Sequence, residues 1–316
     1  MTLAFALMCY GGAVAFFGPP VLRRLTRKGS APRLGVLAWL VAIAGALGAW
    51  TAAGTLLIVE FATFWQHPAD TVRDIVGLIW APARVHRGMA VEVAAFVVSG
   101  VMAAGLAALL LRTGGLMLRM RRHTHAHGRA VRMVGREVPG VGAVVLDSTE
   151  RQAYCVAGRP DTIVVTSAAL DALTPDQLDA VLAHERAHLS GRHAAVLAAL
   201  RGLATTLPGI RLVTEGAAEI ARLLEMCADD TATRAHGREP LLGALLAIVG
   251  VADPAPAGAM HAAGTAVLAR TERLLAPVSA IRRATNRTAL TGVIALTVIG
   301  LLEVAIGIFF CSTVFG

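Results

Sequence analysis

Apolar residues dominate four stretches of the chain, and a long segment of mixed character separates the third from the fourth. The first runs from about Leu3 to Phe17 and closes at Gly18-Pro19-Pro20, giving a span of about 3–19. The second covers about Leu34 to Phe61 (34–61), the third about Met89 to Leu111 (89–111), and the last about Ala289 to Phe310. A helix needs roughly 20 residues to cross a bilayer, and these stretches approach or exceed that length. The first is short enough to compete with a secretory leader. It lacks a leader's basic flank, because no Lys or Arg precedes Arg23, so a retained span is expected.

Between the third and fourth stretches the pattern shortens. Val144–Asp147, Gln152–Arg159 and Thr162–Ser167 are short runs rich in β-formers, the last two parted by a turn at Pro160-Asp161, and they predict a small antiparallel sheet. Thr174 then offers an N-cap, Pro175 suits the first helical position, and Gln177 completes a capping box. The helix they open should carry Leu178, Val181 and Leu182 and continue past His188. Apolar periodicity over Glu219–Leu224 predicts a later helix running into Glu225.

Composition agrees with the apolar stretches. Hydrophobic residues make up 56% and charged residues 16%, where a soluble domain carries about a quarter charged. The net charge of +8 is placed unevenly. Arg23, Arg24, Arg27, Lys28 and Arg33 fill the first connection, Arg112, Arg119, Arg121, Arg122, Arg129 and Arg132 follow the third stretch, and Arg282, Arg283 and Arg287 precede the fourth. The connection from Glu60 to Arg87 mixes acids with bases. Basic flanks mark cytoplasmic loops, so both termini are expected outside a bacterial plasma membrane. The expected division is three spans in 1–112, a cytoplasmic domain in 113–287, and a fourth span with a short extracellular tail in 288–316. Membrane flanks account for the basic excess without direct nucleic-acid binding.

Cys9, Cys155, Cys227 and Cys311 form no CxxC pair and indicate neither a disulfide framework nor a cysteine metal site. His123, His125 and His127 alternate, a spacing that serves one ion poorly on a helix, and they read as a solvated helix exit. Glu92 and Glu303 fall within apolar stretches; Glu92 sits near an interface, and the role of Glu303 is left open.

The chemistry is concentrated in His184-Glu185-Arg186-Ala187-His188. Histidines at i and i+4 share a helical face, so both rings can reach one ion, with Glu185 projecting beside it to take a proton from water. A chance occurrence of this pentad anywhere in the chain has an expectation of about 0.01. A catalytic zinc site needs a third ligand and an open position. Glu225 is the candidate, with Asp229 one turn on and placed to orient a ligand histidine. His193 and His236 are rivals, but a ring five residues beyond His188 on a continuing helix should diverge from the ligand face.

From about Val144 to Arg273 the chain resembles the metallopeptidases of families M56 and M48, in which a helical His-Glu-x-x-His is followed by Glu-x-x-x-Asp on a later helix. His184, Glu185, His188, Glu225 and Asp229 match those motifs. The surroundings Ala153-Tyr154-Cys155-Val156, Ile163-Val164-Val165-Thr166-Ser167 and His188-Leu189-Ser190-Gly191-Arg192-His193 also agree. Three spans before the domain and one after resemble the BlaR/MecR branch, in particular the shorter mycobacterial-type homologues. The resemblance implies an α-helical membrane protein with four spans in a 3+1 arrangement and an α+β zincin-like domain. It further implies a zinc metalloendopeptidase with one Zn2+ per chain and a cytosolic winged-helix repressor of BlaI type, or the chain itself, as substrate. Tyr154, Cys155 and Val156 correspond to a substrate-aligning edge strand, and Arg273 or His261 to a transition-state or structural group. The branch's longer sensors continue into an extracellular penicillin-binding domain; with the sequence ending at Gly316, direct acylation by β-lactams is not expected. A quality-control peptidase of the M48 type and a non-catalytic transducer with a zinc-stabilised domain are the competing readings. Monomer and homodimer both remain open.

Overall fold

A computed structural model of the chain describes residues 2–65, 83–138, 142–249, 268–276 and 279–314. Two long apolar helices come first, α1 (Thr2–Thr26) and α2 (Pro32–Trp65), packed against each other. The turn joining them uses Gly29 at φ +55°, a conformation that side-chain-bearing residues avoid. The first helix does not close at Gly18-Pro19-Pro20 as expected; both prolines lie inside it and it continues to Thr26. Proline deletes a backbone donor, but apolar surroundings offer the chain no better state than a helix braced by its neighbours.

The next helix, α3 (Ala83–Val134), is 52 residues long. It includes residues 89–111, where a third span is expected, and runs without a break through the expected domain boundary at 112. Among the described residues, three stretches are long and apolar enough to cross a membrane: Leu3–Thr26, Pro32–Val59 and Ala280–Val304. The last belongs to the final helix, α9 (Ala280–Val314), which packs on α1 and α2. Phe5, Phe16, Phe17, Leu296, Ile299 and Leu302 are exposed on these helices, an apolar surface suited to lipid. Glu303 is exposed among them.

The sheet comprises β1 (Arg136–Glu137), β2 (Val144–Leu146), β3 (Ala153–Val156) and β4 (Thr162–Thr166) in the order β1-β2-β4-β3. It is mixed, not antiparallel throughout. β3 and β4 form the antiparallel hairpin, but β2 pairs parallel to β4, with Val145 opposite Val165. The chain passes from β2 to the far side of β4 before turning back, so β2 and β4 point the same way. All five residues of β4 are buried, as a central β-branched strand covered on both faces requires. β3 is left as an edge.

Five helices follow: α4 (Ser167–Ala172), α5 (Pro175–Ser190), α6 (His193–Thr206), α7 (Arg211–His236) and α8 (Arg238–Val249). The predicted capping box opens α5: the Gln177 N–H donates to Thr174 Oγ1, and the Thr174 N–H donates to Gln177 Oε1. The molecule is layered around α5 and α7. Leu182 of α5 packs with Ile163, Val165 and Ala169 beside the sheet. Ala180 of α5 meets Ala232 of α7, two small side chains that let the helices approach closely, and Leu241 of α8 joins the same cluster. The other face of α7 places Leu212, Ile220 and Leu223 in one core with Leu22 of α1 and Trp39 and Ile43 of α2. The helix bearing Glu225 is therefore seated directly on the apolar pair.

Candidate metal centre

Packing of α5 on α7 sets the site, because the buried face of α5 includes His184 and Ala187 and that of α7 includes Ala228 and Asp229. His184 Nε2 and His188 Nε2 lie 3.1 Å apart. Glu225 closes the triangle, Oε2 standing 3.5 Å from His184 Nε2 and Oε1 3.4 Å from His188 Nε2. Ligand atoms held 2.0–2.1 Å from a tetrahedral ion are about 3.3 Å apart, so these separations suit zinc. The donor set fits as well: two imidazole nitrogens and one carboxylate oxygen leave a fourth position open. His184, His188 and Glu225 can hold a metal ion.

Each histidine is braced from behind. His184 Nδ1 lies 3.1 Å from Oδ1 of Asp229, which is 1% exposed. His188 Nδ1 lies 2.9 Å from His193 Nδ1. The expected divergence of His193 does not occur, because α5 stops at Ser190 and Arg192 adopts a left-handed φ of 51°, turning the chain so that α6 begins with His193 facing back. His236, the other rival, is exposed in the last turn of α7.

Arg270 was not singled out from the sequence, yet it joins the cluster. Its Nη2 and Nε donate to Asp229 Oδ1 and Oδ2 at 2.6 and 2.9 Å, and its Nη1 lies 3.2 Å from Glu225 Oε2. Arg273, three residues on, points elsewhere: Nε donates to the Gly29 carbonyl at 3.0 Å and Nη2 to Asp230 at 2.6 Å. One helical segment, 268–275, presents two arginines to adjacent acids of α7, and the inner one reaches the site. The spacing of Arg270 and Arg273 was visible in the sequence; which of the two faces inward depends on how that segment docks. His261 lies outside the described residues.

The electrostatics follow from burial beside charge. Burial opposes protonation of His184, but hydrogen bonds to Asp229 and Glu225 overcome it and push its pKa up to about 9. Burial brings His188 down to about 4. Burial also opposes ionisation of Glu225 and Asp229, yet hydrogen bonds with His184 and the Arg270 charge hold both carboxyls below their ordinary range. Glu185 lines the same cleft and is displaced upward by burial, with His184 and a hydrogen bond from Cys155 pulling the other way. Burial, reinforced by Glu185, pushes the Cys155 thiol up to about 12, so it remains a neutral donor.

The cleft has a volume of about 390 Å3. Ala153, Tyr154 and Cys155 of edge strand β3 form one wall, and Leu241, Leu245 and Ile248 of α8 form another. Val156 turns into the core with Val131 and Val164. The His127 ring stacks on Tyr154 at 6.1 Å, joining the histidine-rich part of α3 to this strand. The arrangement offers a cation site, a carboxyl of raised pKa beside it and a strand edge that is unpaired among the described residues.

No curated protein and no solved structure matches the chain. Residues 119–229, from the basic half of α3 to the aspartate behind His184, match the model of peptidase family M48, whose members are proteases and typically metal-dependent.

Proposed function

We propose that this protein is a membrane-embedded zinc endopeptidase that transduces a signal by proteolysis, acting on a cytosolic winged-helix repressor of BlaI type or on itself. The observation that carries the peptidase reading is the triangle of His184, His188 and Glu225 beside Glu185 in one cleft. Zinc held there would supply Lewis acidity for the scissile carbonyl and lower the pKa of water. Glu185 takes the proton of the attacking water and returns it to the departing amine, a task its upward-shifted carboxyl suits. Asp229 and His193 fix the imidazole planes. The free edge of β3 aligns an extended substrate by backbone hydrogen bonds, with Tyr154 and Cys155 flanking it. Signalling and the repressor substrate rest on the resemblance to the BlaR/MecR branch.

The match to family M48 favours a second reading, a quality-control peptidase acting on damaged membrane proteins. The non-catalytic transducer is disfavoured by Glu185, since a structural zinc site has no need of a free carboxylate beside it. Glu185→Gln separates catalysis from mere metal binding. Purified variant should keep its zinc while cleavage falls by about 10²- to 10⁴-fold, the usual contribution of a general base. Full cleavage by a zinc-loaded variant rules out the mechanism. Incubating the wild-type enzyme with a winged-helix repressor or a misfolded membrane protein, and identifying products by mass spectrometry, divides the two substrate classes.

A further inference from the structure

A second cavity, of about 510 Å3, lies beside the last turns of α7, where the apolar helices end. Residues 29–34 enter it from the α1–α2 turn, and Arg283 and Arg287 from the start of α9, so the ends of three apolar helices meet there. Six arginines line it: Arg33, Arg234, Arg238, Arg273, Arg283 and Arg287. The only acid among the lining residues is Asp230, which Arg273 already engages at 2.6 Å. Among the described residues no hydrogen bond or ion pair holds the guanidinium group of Arg33, Arg238 or Arg287.

Guanidinium groups gathered around a space of ligand size repel one another, and an anion between them reverses the sign of that interaction. The planar fork of arginine matches phosphate oxygens in pairs, giving charge-assisted hydrogen bonds. Position then distinguishes the sources of phosphate. The cavity opens at the ends of apolar helices, the depth at which lipid headgroups lie, and basic pockets between helix ends at that depth suit anionic headgroups. We propose that this cavity binds the phosphate of an anionic phospholipid headgroup. The inference requires the chain to be embedded in a membrane and is independent of its peptidase activity.

The full-length protein in neutral detergent is titrated with short-chain phosphatidylglycerol, phosphatidylcholine of the same chain length, and inorganic phosphate, following the thermal unfolding midpoint. Phosphatidylglycerol should raise the midpoint saturably and phosphatidylcholine should not. In the triple variant Arg33→Gln, Arg238→Gln, Arg287→Gln, half-saturation should need a roughly tenfold higher concentration, equivalent to about 1.4 kcal/mol. Removing three charges outside the cavity, with Arg24→Gln, Arg27→Gln and Lys28→Gln, should leave the titration unchanged. An equal loss in that control, or an unaltered response in the cavity variant, overturns the site. Inorganic phosphate as effective as phosphatidylglycerol overturns the lipid assignment. Should the triple variant fold poorly, Arg287→Gln alone, compared with Arg287→Lys, reads the same contrast in smaller measure.

Discussion

The metal triangle stands on a buried charge network, and Arg270 is the residue on which that network balances. Asp229 is almost wholly buried, and its carboxylate is compensated by the Arg270 fork and by His184. Arg270→Ala leaves that carboxylate without its cation, a change that typically costs about 3–5 kcal/mol and loosens the orientation of His184. Its midpoint of unfolding should fall and zinc affinity should drop by about 10- to 100-fold, as measured by competition with a chelator. Zinc affinity equal to wild type would show that Arg270 has no part in positioning the ligands. Arg270→Lys keeps the charge but not the fork, and should lie between the two. The residue scale is also where the sequence was most legible. His184, Glu185 and His188 sit on one helix whose period fixes their relation, and Glu225 and Asp229 on another. His193 and Arg270 were not legible for opposite reasons. His193 depends on one left-handed residue that ends α5, and Arg270 depends on the docking of a segment far away in sequence.

At the scale of elements, α7 does two tasks, and its contacts with α1 and α2 can be tested apart from the metal. Near the end of α1, Thr26 Oγ1 donates to Glu219 Oε1 at 2.7 Å, and Arg222 Nη2 donates to the Thr26 carbonyl at 2.8 Å while pairing with Glu219. Burial alone would raise the Glu219 pKa, but Arg222 and Thr26 hold it below its ordinary value. A carboxyl with a depressed pKa in the folded state stabilises above its unfolded pKa, and that contribution disappears as pH falls through the depressed value. Stability should therefore decline on acidification below about 4.3, the unperturbed glutamate value. Glu219→Gln should flatten part of that decline and lower stability at neutral pH by about 1–3 kcal/mol; pH-dependent unfolding curves that superimpose with wild type would exclude the clasp. One turn earlier, Gly216 has no side chain where a Cβ would meet Ile43 at 2.9 Å and the buried Trp39 ring at 3.0 Å. Gly216→Val should cost about 1–3 kcal/mol in thermal or denaturant unfolding by pushing α7 off α2, whereas an unchanged midpoint would mean that the two helices have slack. Little of this contact was readable beforehand. Apolar runs revealed the long helices and capping residues the start of α5, but periodicity cannot say which helix covers which. The same blindness made the sheet seem antiparallel, since short strands carry no mark of the neighbour they choose.

At the scale of the whole molecule, these contacts constrain how the chain threads a bilayer. The end of α1, the start of α2, the first turns of α9 and the flank of α7 are all gathered at one end of the apolar helices. If Pro32–Val59 crosses the membrane, residue 60 emerges on the opposite side from Pro32. Yet α7, from residue 211 onward, packs against Thr26 and Trp39. The chain must then cross back between 60 and 211, and the apolar part of α3, about 89–111, supplies the length for it. On this parity we propose four crossings in a 3+1 arrangement, the number expected from the four apolar stretches. For the direction we propose, from the basic flanks, that the metal site faces the cytoplasm. Thiol labelling tests both number and direction. With Cys9, Cys155, Cys227 and Cys311 replaced by alanine, Thr149→Cys, at an exposed position between β2 and β3, should react with a membrane-impermeant maleimide only after the cells are permeabilised. Ala69→Cys should react in intact cells. Labelling of both positions in intact cells would mean that α3 does not cross and that the peptidase faces outward. In that case no cytosolic repressor can be its substrate, while the geometry of the metal centre would stand unchanged.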